Sequence, residues 1–522
     1  MKGSLRQSMA WLHTWTGLLF GWLLFAVFAT GTAAYFQDEI TGWMQPEVVA
    51  VADPAAAAQA AVRHLEKVAP GAESWFITPP SPRNQATSVF WRPKTVEGAP
   101  RPKRGETSAT LDGNGNVVTA RETRGGFFLY RFHFDLHYMP VYLARYLVSA
   151  AAMFMLIAIL SGVVTHKKIF VDFFMLRFGK GQRSWLDAHN VTAVFALPFY
   201  LMITYTGLVT LASMNMPWGI AANYSNTDTF FETVFPERGN AERSDIAAPL
   251  APVAPMMAGA SQQWGGAGIG SVRISYPGDR NATVAVTRAS SSQIGSHSEA
   301  LVFDGVTGRR LDAPAGPGGA MATQSVMIGL HAGRFADWGL RWLYFLSGVG
   351  GTIMVGSGLV LWTVKRRAKL PDPANPHFGF RVVERLNVAT IAGLPAGIAV
   401  YFLANRLLPL NLADRADWEV HSLFIAWGTM LAWAMVRPAR RAWAEGLAAT
   451  AVLFASVPLV SAVMVPRNLV TGLFTGDWLF VAFDLTMLAL SASFGWAAYK
   501  MARTRAAAAP RRARRETELA AA

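Results

Sequence analysis

Eight stretches, each about as long as the roughly 20 apolar residues needed to span a bilayer, constrain this chain before anything else. They run 9–36, 141–165, 189–213, 340–364, 386–408, 417–436, 443–464 and 478–499. Inside hydrocarbon only helices and closed barrels satisfy every backbone N–H and C=O. Runs this long read as helices, so a polytopic α-helical membrane protein of about eight transmembrane helices is predicted. Composition agrees: 52% of the 522 residues are hydrophobic and 15% charged, too apolar for an ordinary soluble chain of this length. The first stretch is expected to stay in place. It is too long for a signal-peptide core, and YFQDEITGWMQP after it offers no clear small-residue cleavage site.

The net charge of +14 is distributed as a membrane protein distributes it. Lys167, Lys168, Arg177, Lys180 and Arg183 fall between spans two and three. Lys365, Arg366, Arg367, Lys369, Arg381 and Arg385 fall between spans four and five. Arg437, Arg440 and Arg441 follow span six, and PRRARR lies in the tail. The short loops of the other side carry only Arg415 and Arg467. This positive-inside pattern predicts a bacterial inner-membrane protein with both termini cytoplasmic, residues 37–139 and 214–339 outside, and a lipid bilayer rather than nucleic acid as its surroundings. The absence of cysteine removes disulfides, thiolate zinc sites, iron–sulfur clusters and Cys-attached haem.

The chain repeats itself. RYLVSAAAMFMLIAILSGVVTHKK (145–168) aligns with RWLYFLSGVGGTIMVGSGLVLWTVKR (341–366), and HTWTGLLFG (13–21) loosely with HNVTAVFAL (189–197). A third copy, LNVATIAGLP (386–395), carries Leu386 where the histidine stood. The outer segments repeat as well. In the first, DPAAAAQAAVRHLEKV reads as a helix with Asp53 near its start, followed by strand-like WFITPP and TSVFWRP. ATLDGNGNVVTA then reads as a hairpin turned at Asp112-Gly113 and Asn114-Gly115. In the second, a helix near 246–262 precedes SVRISYP, ATVAVTR and ALVFDGVTGRRLD. Each segment is predicted to be a small α+β domain inserted in a duplicated helix hairpin. The remaining divisions are helix one (1–36), helices two and three (140–213), helix four (340–364), a loop (365–385), helices five to eight (386–500) and a basic tail (501–522).

Seven of the ten histidines lie in or near spans. His13, His166 and His189 fall at the cytoplasmic ends of spans one, two and three. His133, His137 and His331 fall outside the outer ends of spans two and four, and His421 near the outer end of span six. Ionisable side chains at membrane depth mark functional sites, although a lone interfacial imidazole is more often an anchor or a cap. Zinc wants three or four ligands, and the span-associated carboxylates are few: Asp135, Asp187 and Glu384. Haem b asks for two axial imidazoles, an apolar slot between helices and cationic partners for its propionates. Gly17, Gly21, Ser161-Gly162, Gly348, Gly350-Gly351, Gly356 and Gly358 offer such a slot, or close helix packing; Arg145, Arg334 and Arg341 offer cations, or interface anchors. Pseudo-symmetry pairs His13 with His189 for an inner haem and His137 with His331 for an outer one. His166 competes for the inner site.

WLHTWTGLLFGWLLFAVFATGTAAYFQDEI, together with SGVVTHKKIFVDFFMLRFGKGQRSWLDAHNVTAVFALPFYLMITYTGL, resembles the PepSY-associated transmembrane family over about residues 6–367. Within it the likeness is to inner-membrane ferric-siderophore reductases of the ferrioxamine type. The resemblance implies PepSY-like outer domains, two haems of the b type, and His13, His137, His166, His189 and His331 as the haem-iron ligands. It implies an oxidoreductase passing electrons across the membrane to ferric siderophore outside, for iron release in iron uptake. Trp43, Phe127, Phe128, Tyr130, Tyr138 and Trp338 would offer the chelate a landing place, or form an interfacial belt. The electron donor is open between quinol and a partner protein, since no GxGxxG after a strand and no P-loop occurs. Two other readings stand beside it: a membrane-anchored sensor or binding module, and a transporter.

Overall fold

The computed structural model of the protein describes residues 4–51, 53–94, 105–166, 173, 176–177, 179–234, 242–311 and 318–503. Lys167, Lys168 and the basic tail fall outside them. In chain order the elements used below are helices α1 (Leu5–Ala34), α2 (Gln37–Met44) and α3 (Pro54–Val68), strands β1 (Ser74–Thr78), β2 (Thr87–Arg92) and β3 (Ser108–Leu111), and helices α4 (Gly125–Asp135), α5 (Val141–Thr165), α6 (Gln182–Phe195) and α7 (Leu197–Thr210). They continue with α8 (Val253–Gln263), strands β4 (Ile269–Ser275), β5 (Thr283–Arg288) and β6 (Ala300–Asp304), and helices α9 (Gly319–Ala332) and α10 (Trp338–Arg367). The last four are α11 (Phe378–Leu407), α12 (Arg415–Val436), α13 (Ala439–Met464) and α14 (Trp478–Arg503). Two compact units result: a helical one of Met1–Pro46, Glu122–Leu201 and Phe345–Ala522, and a mixed one of Glu47–Arg121 and Met202–Tyr344.

Among the described residues seven helices are long and apolar enough to cross a bilayer: α1, α5 and α10 to α14. The protein is therefore largely helical and multi-pass. The expected third span, 189–213, is not one straight helix. It is the pair α6 and α7, bent by 68°. Pro198 explains the break, because it has no N–H for the carbonyl four residues earlier and its ring crowds that turn. The related block of α11 carries Pro395 at the matching place. There the chain widens into a π-helical turn at Ala389–Gly393 instead of breaking.

Large side chains fill the core of the helical unit, among them Trp43, Phe128, Phe132, Tyr200, Tyr401, Phe402 and Phe480. Lipid gives apolar helices no reason to prefer each other, so close packing and polar contacts hold them. A Cβ at Gly351 would overlap the rings of Phe28 and Tyr200. Gly348 meets Thr32, Gly356 meets Phe25, and Gly21 meets Leu359. These slot glycines serve helix approach.

In the mixed unit the two inserted segments are not separate sheets. They form one six-stranded antiparallel sheet in the order β3-β2-β1-β4-β5-β6. Each three-stranded half would leave a naked edge, β1 or β4, with unpaired backbone groups. The edges pair with each other from Ser74↔Ser275 to Ile77↔Val272. Helices α3 and α8 pack with one face of this sheet, burying Leu65, Trp75, Ile77, Val89, Met256, Val272, Ile274, Val284 and Val286. Each buried side chain of this size contributes about 1.5–3 kcal/mol. Asp53 caps α3, its Oδ1 accepting from the N–H groups of Ala55 and Ala56. The turn predicted at Asp112 forms, and a similar one stands at Asp304. Asp112 Oδ1 accepts from the N–H groups of Asn114 and Asn116, and Asp304 Oδ1 from those of Val306 and Thr307. These hydrogen bonds hold both carboxyls below the usual range. Residues 37–46 and 122–139, with α2 and α4, group with the helical unit.

Candidate functional site

Four imidazoles repeat one arrangement. In each, Nδ1 bonds a main-chain carbonyl of another helix, and the residue four positions after that carbonyl is glycine. His13 of α1 bonds Ala158 O at 2.8 Å and faces Gly162 of α5. His189 of α6 bonds Met354 O at 2.9 Å and faces Gly358 of α10. His133 of α4 bonds Val27 O at 2.7 Å and faces Gly31 of α1. His331 of α9 bonds Ile203 O at 3.0 Å and faces Gly207 of α7.

The causes are local. Glycine one turn past the carbonyl removes the Cβ that would fill the imidazole's place. A Cβ would come within 3.3 Å of the His13 ring at Gly162, 3.2 Å of His189 at Gly358, 2.9 Å of His331 at Gly207 and 2.6 Å of His133 at Gly31. A carbonyl accepts only, so Nδ1 is the protonated nitrogen and the lone pair sits on Nε2. This is how metal-binding histidines are held in one tautomer.

Within the helical unit, His13 and His189 come together. Their ring centres lie 6.1 Å apart with planes inclined by 66°. A metal–imidazole bond of about 2 Å, plus roughly 1 Å from nitrogen to ring centre, puts two axial imidazoles about 6 Å apart. The pair therefore fits an iron porphyrin held from both sides, and Gly162 and Gly358 are the glycines of the predicted slot that flank it. His133 meets the same helix α1 five turns further on, about 27 Å along the axis at 1.5 Å per residue. His13 and the His133–Gly31 contact thus mark opposite ends of one span. Among the described residues no three or more His, Cys, Asp or Glu gather as a metal-binding group; two-imidazole coordination is what these side chains offer.

The other predicted residues are placed differently. His166 caps α5, and its Nε2 accepts from Asn190 Nδ2 at 2.9 Å. His137 lies past the end of α4, where Leu136 and Tyr138 take left-handed conformations with φ of 47° and 56°. Its ring stacks on Phe424 and meets Phe128 edge-on. Burial and the Arg124 guanidinium hold this imidazole below its ordinary pKa. His137 lacks the carbonyl-and-glycine arrangement, and His133 has it. His421 bonds the Tyr138 hydroxyl. The carboxylates of the spans are ion-paired: Asp135 with Arg131 and Arg145, Asp187 with Arg177, Glu384 with Arg367. Arg145 is thereby engaged, Arg341 is buried and Arg334 exposed. Of the aromatic landing residues, Trp43 and Phe128 are buried, Trp43 stacked on Phe483. Phe127, Tyr138 and Trp338 are exposed.

Sequence reasoning did not name His133 among its candidate ligands, yet it has the same carbonyl-and-glycine seat as His13, His189 and His331. A signal for it existed. The spacing from His13 to Gly31 equals that from His189 to Gly207, so the repeat carries glycine and histidine together.

An uncharacterized protein of Pseudomonas aeruginosa is 26% identical over 317 residues, covering 58% of this chain and 78% of its own length. The sequence model of the PepSY-associated TM region matches residues 10–365, which takes in all four imidazoles with their glycines and stops at the end of α10, and the chain belongs to that family.

Proposed function

We propose that the protein is a haem b-containing reductase of the bacterial inner membrane that carries electrons across it to ferric siderophore on the outer side. The observation that carries this reading is the His13–His189 pair, 6.1 Å apart, each imidazole tautomer-locked by a carbonyl and seated on a glycine. These two residues would hold one haem. His133, on the same scaffold at the other end of α1, would supply an axial ligand to a second. In this reading His133 takes the place that sequence symmetry gave to His137. Haem b held by two imidazoles exchanges single electrons at its iron without opening a coordination position.

What the chain's own residues do is hold and insulate. The carbonyls of Ala158 and Met354 orient the imidazoles, while Leu24, Phe25, Met155 and Leu359 keep the surrounding core apolar. A ferric siderophore grips iron through hard oxygen donors, and one added electron gives a softer, less charged ion that such donors hold loosely. The electron comes from quinol or a partner protein.

Haem per chain, measured by pyridine haemochrome on purified full-length protein, tests the first half: about two low-spin b haems are expected. His13→Ala and His189→Ala should each remove the same haem, and His133→Ala the other. Reoxidation of the dithionite-reduced protein by a ferric hydroxamate, followed at the α-band, tests the second half. A folded preparation without porphyrin overturns the reading and leaves a membrane-anchored module.

A further inference from the structure

Helices α11 to α14 follow the family match and contain none of the four imidazoles on glycine, so their role needs another account. Two of them, α11 and α12, grip α4 at its beginning. Arg415 Nη1 donates to Glu122 O at 2.8 Å. Thr123 Oγ1 donates to Glu419 Oε2 at 2.5 Å. Arg124 Nε donates to Asp417 Oδ1 at 2.7 Å, and the Tyr401 hydroxyl donates to Gly125 O at 2.9 Å. One turn on, Phe128 packs on Tyr401 and Phe424; a turn further, Phe132 packs on Phe424 and Trp427. The next residue is His133.

The grip is itself braced. Arg415 and Glu419, both fully buried, form an ion pair at 2.5 Å. Asn405 Nδ2 donates to Glu419 Oε1 at 2.8 Å, and Arg415 Nη2 to Asn405 O at 2.5 Å. Burying such a pair costs several kcal/mol per ion, and well-packed apolar residues hold helices together at least as strongly. A polar set supplies direction: each bond fixes one atom of the α4 start. Helix α4 needs that. It has eleven residues and a left-handed residue at its end, its first N–H groups rest on the Thr123 and Thr41 hydroxyls, and helices this short are marginal alone.

We infer that α11 and α12 act as a clamp that sets the rotation and register of α4, making Thr123, Tyr401, Arg415 and Glu419 positioning residues for the His133 imidazole over Gly31. This rests on His133 being a haem ligand. The spans beyond the family match thereby hold one redox centre's ligand in place.

Full-length protein carrying Tyr401→Phe, Thr123→Val or both tests the clamp. Each substitution removes one hydroxyl and leaves the Arg415–Glu419 pair intact, so folding is kept. Ser491→Ala is the control, since Ser491 bonds Ala451 O, between α13 and α14. The double variant should shift the reduction potential and electron-paramagnetic-resonance signal of the haem that His133→Ala removes, and leave the haem of His13 and His189 unchanged. In haem-stripped protein, amide exchange over residues 127–135 should rise about tenfold for each hydroxyl lost, whereas Ser491→Ala leaves it alone. Equal shifts at both haems, or unchanged exchange and potential, overturn the clamp. Wild-type protein without any haem would sink the functional reading, and amide exchange in α4 would then decide the clamp by itself.

Discussion

Filling the glycine cradle under His133 gives the sharpest test of how the imidazoles are held. A Cβ at Gly31 would lie 2.6 Å from both Cε1 and Nδ1 of His133. Non-bonded carbons settle at about 3.5–4.0 Å, so Gly31→Ala forces the ring back by roughly 1 Å. The 2.7 Å bond from Nδ1 to Val27 O would then exceed the roughly 3.2 Å limit of a good N–H···O bond. Overpacking costs about 1–3 kcal/mol and the lost bond about 1 kcal/mol, together roughly 30- to 1,000-fold in haem affinity at that level. Gly162→Ala leaves the new Cβ 3.3 Å from His13, a shortfall of about 0.2 Å that neighbours absorb for less than about tenfold. Gly17→Ala, on the same helix as Gly31, meets nothing within 4 Å and should be silent. Haem titrated into stripped protein, followed at the Soret band, ranks the three. If Gly31→Ala bound haem as tightly as Gly17→Ala, the cradle would have no part in holding His133.

Three further outcomes follow from the packing. Ile274→Ala empties the shared core where β4 meets β1 and should cost about 2–5 kcal/mol, read as faster proteolysis within 202–344 and 47–121 in the intact protein. Arg415→Met strands a buried Glu419 carboxylate and should cost about 3–5 kcal/mol, read as a lowered thermal midpoint, most of which Arg415→Met with Glu419→Gln restores. Burial pushes the Asp279 carboxyl up, but hydrogen bonds from Asn281 N–H, the Ser244 hydroxyl and Ser244 N–H outweigh it and bring the carboxyl to about 2 from 3.8. A depressed acid contributes stability above its unfolded value and loses it as pH falls through the folded one. Asp279→Asn should therefore lower the thermal midpoint of the mixed unit at pH 7, by an amount that shrinks as pH falls toward and below 2.

Much of this was legible because it is written locally. Apolar runs declare spans without any partner, and Asp112 and Asp304 fix their turns through their own neighbours. The difference between the surroundings of His133 and His137 was not local. Four residues apart, they share a face only while the helix lasts, and Leu136 ends it by turning left-handed. Nor was the merging of two α+β segments readable. Edge pairing of Ser74 with Ser275 joins residues far apart in sequence, and alternating patterns describe which face is buried, not which edge is covered. The bend at Pro198 lay hidden for a third reason: composition alone makes 189–213 a span, and backbone geometry then breaks it.

The worn third repeat shows how much of the site lies in single residues. HNVTAVFALP and LNVATIAGLP share their asparagine and proline, yet they fold and bond differently. Beside His189, Asn190 reaches the His166 ring. Beside Leu386, Asn387 Nδ2 donates to Leu359 O while its Oδ1 accepts from Trp22 Nε1, so the same amide staples α11 to α10 and α1. Leu359 directly follows Gly358, the glycine under His189. One copy thus presents an imidazole to its glycine, and the other fastens the backbone beside that glycine. Where the second copy seats a histidine, the third carries Leu386, and its neighbouring amide instead ties α11 to the backbone beside Gly358.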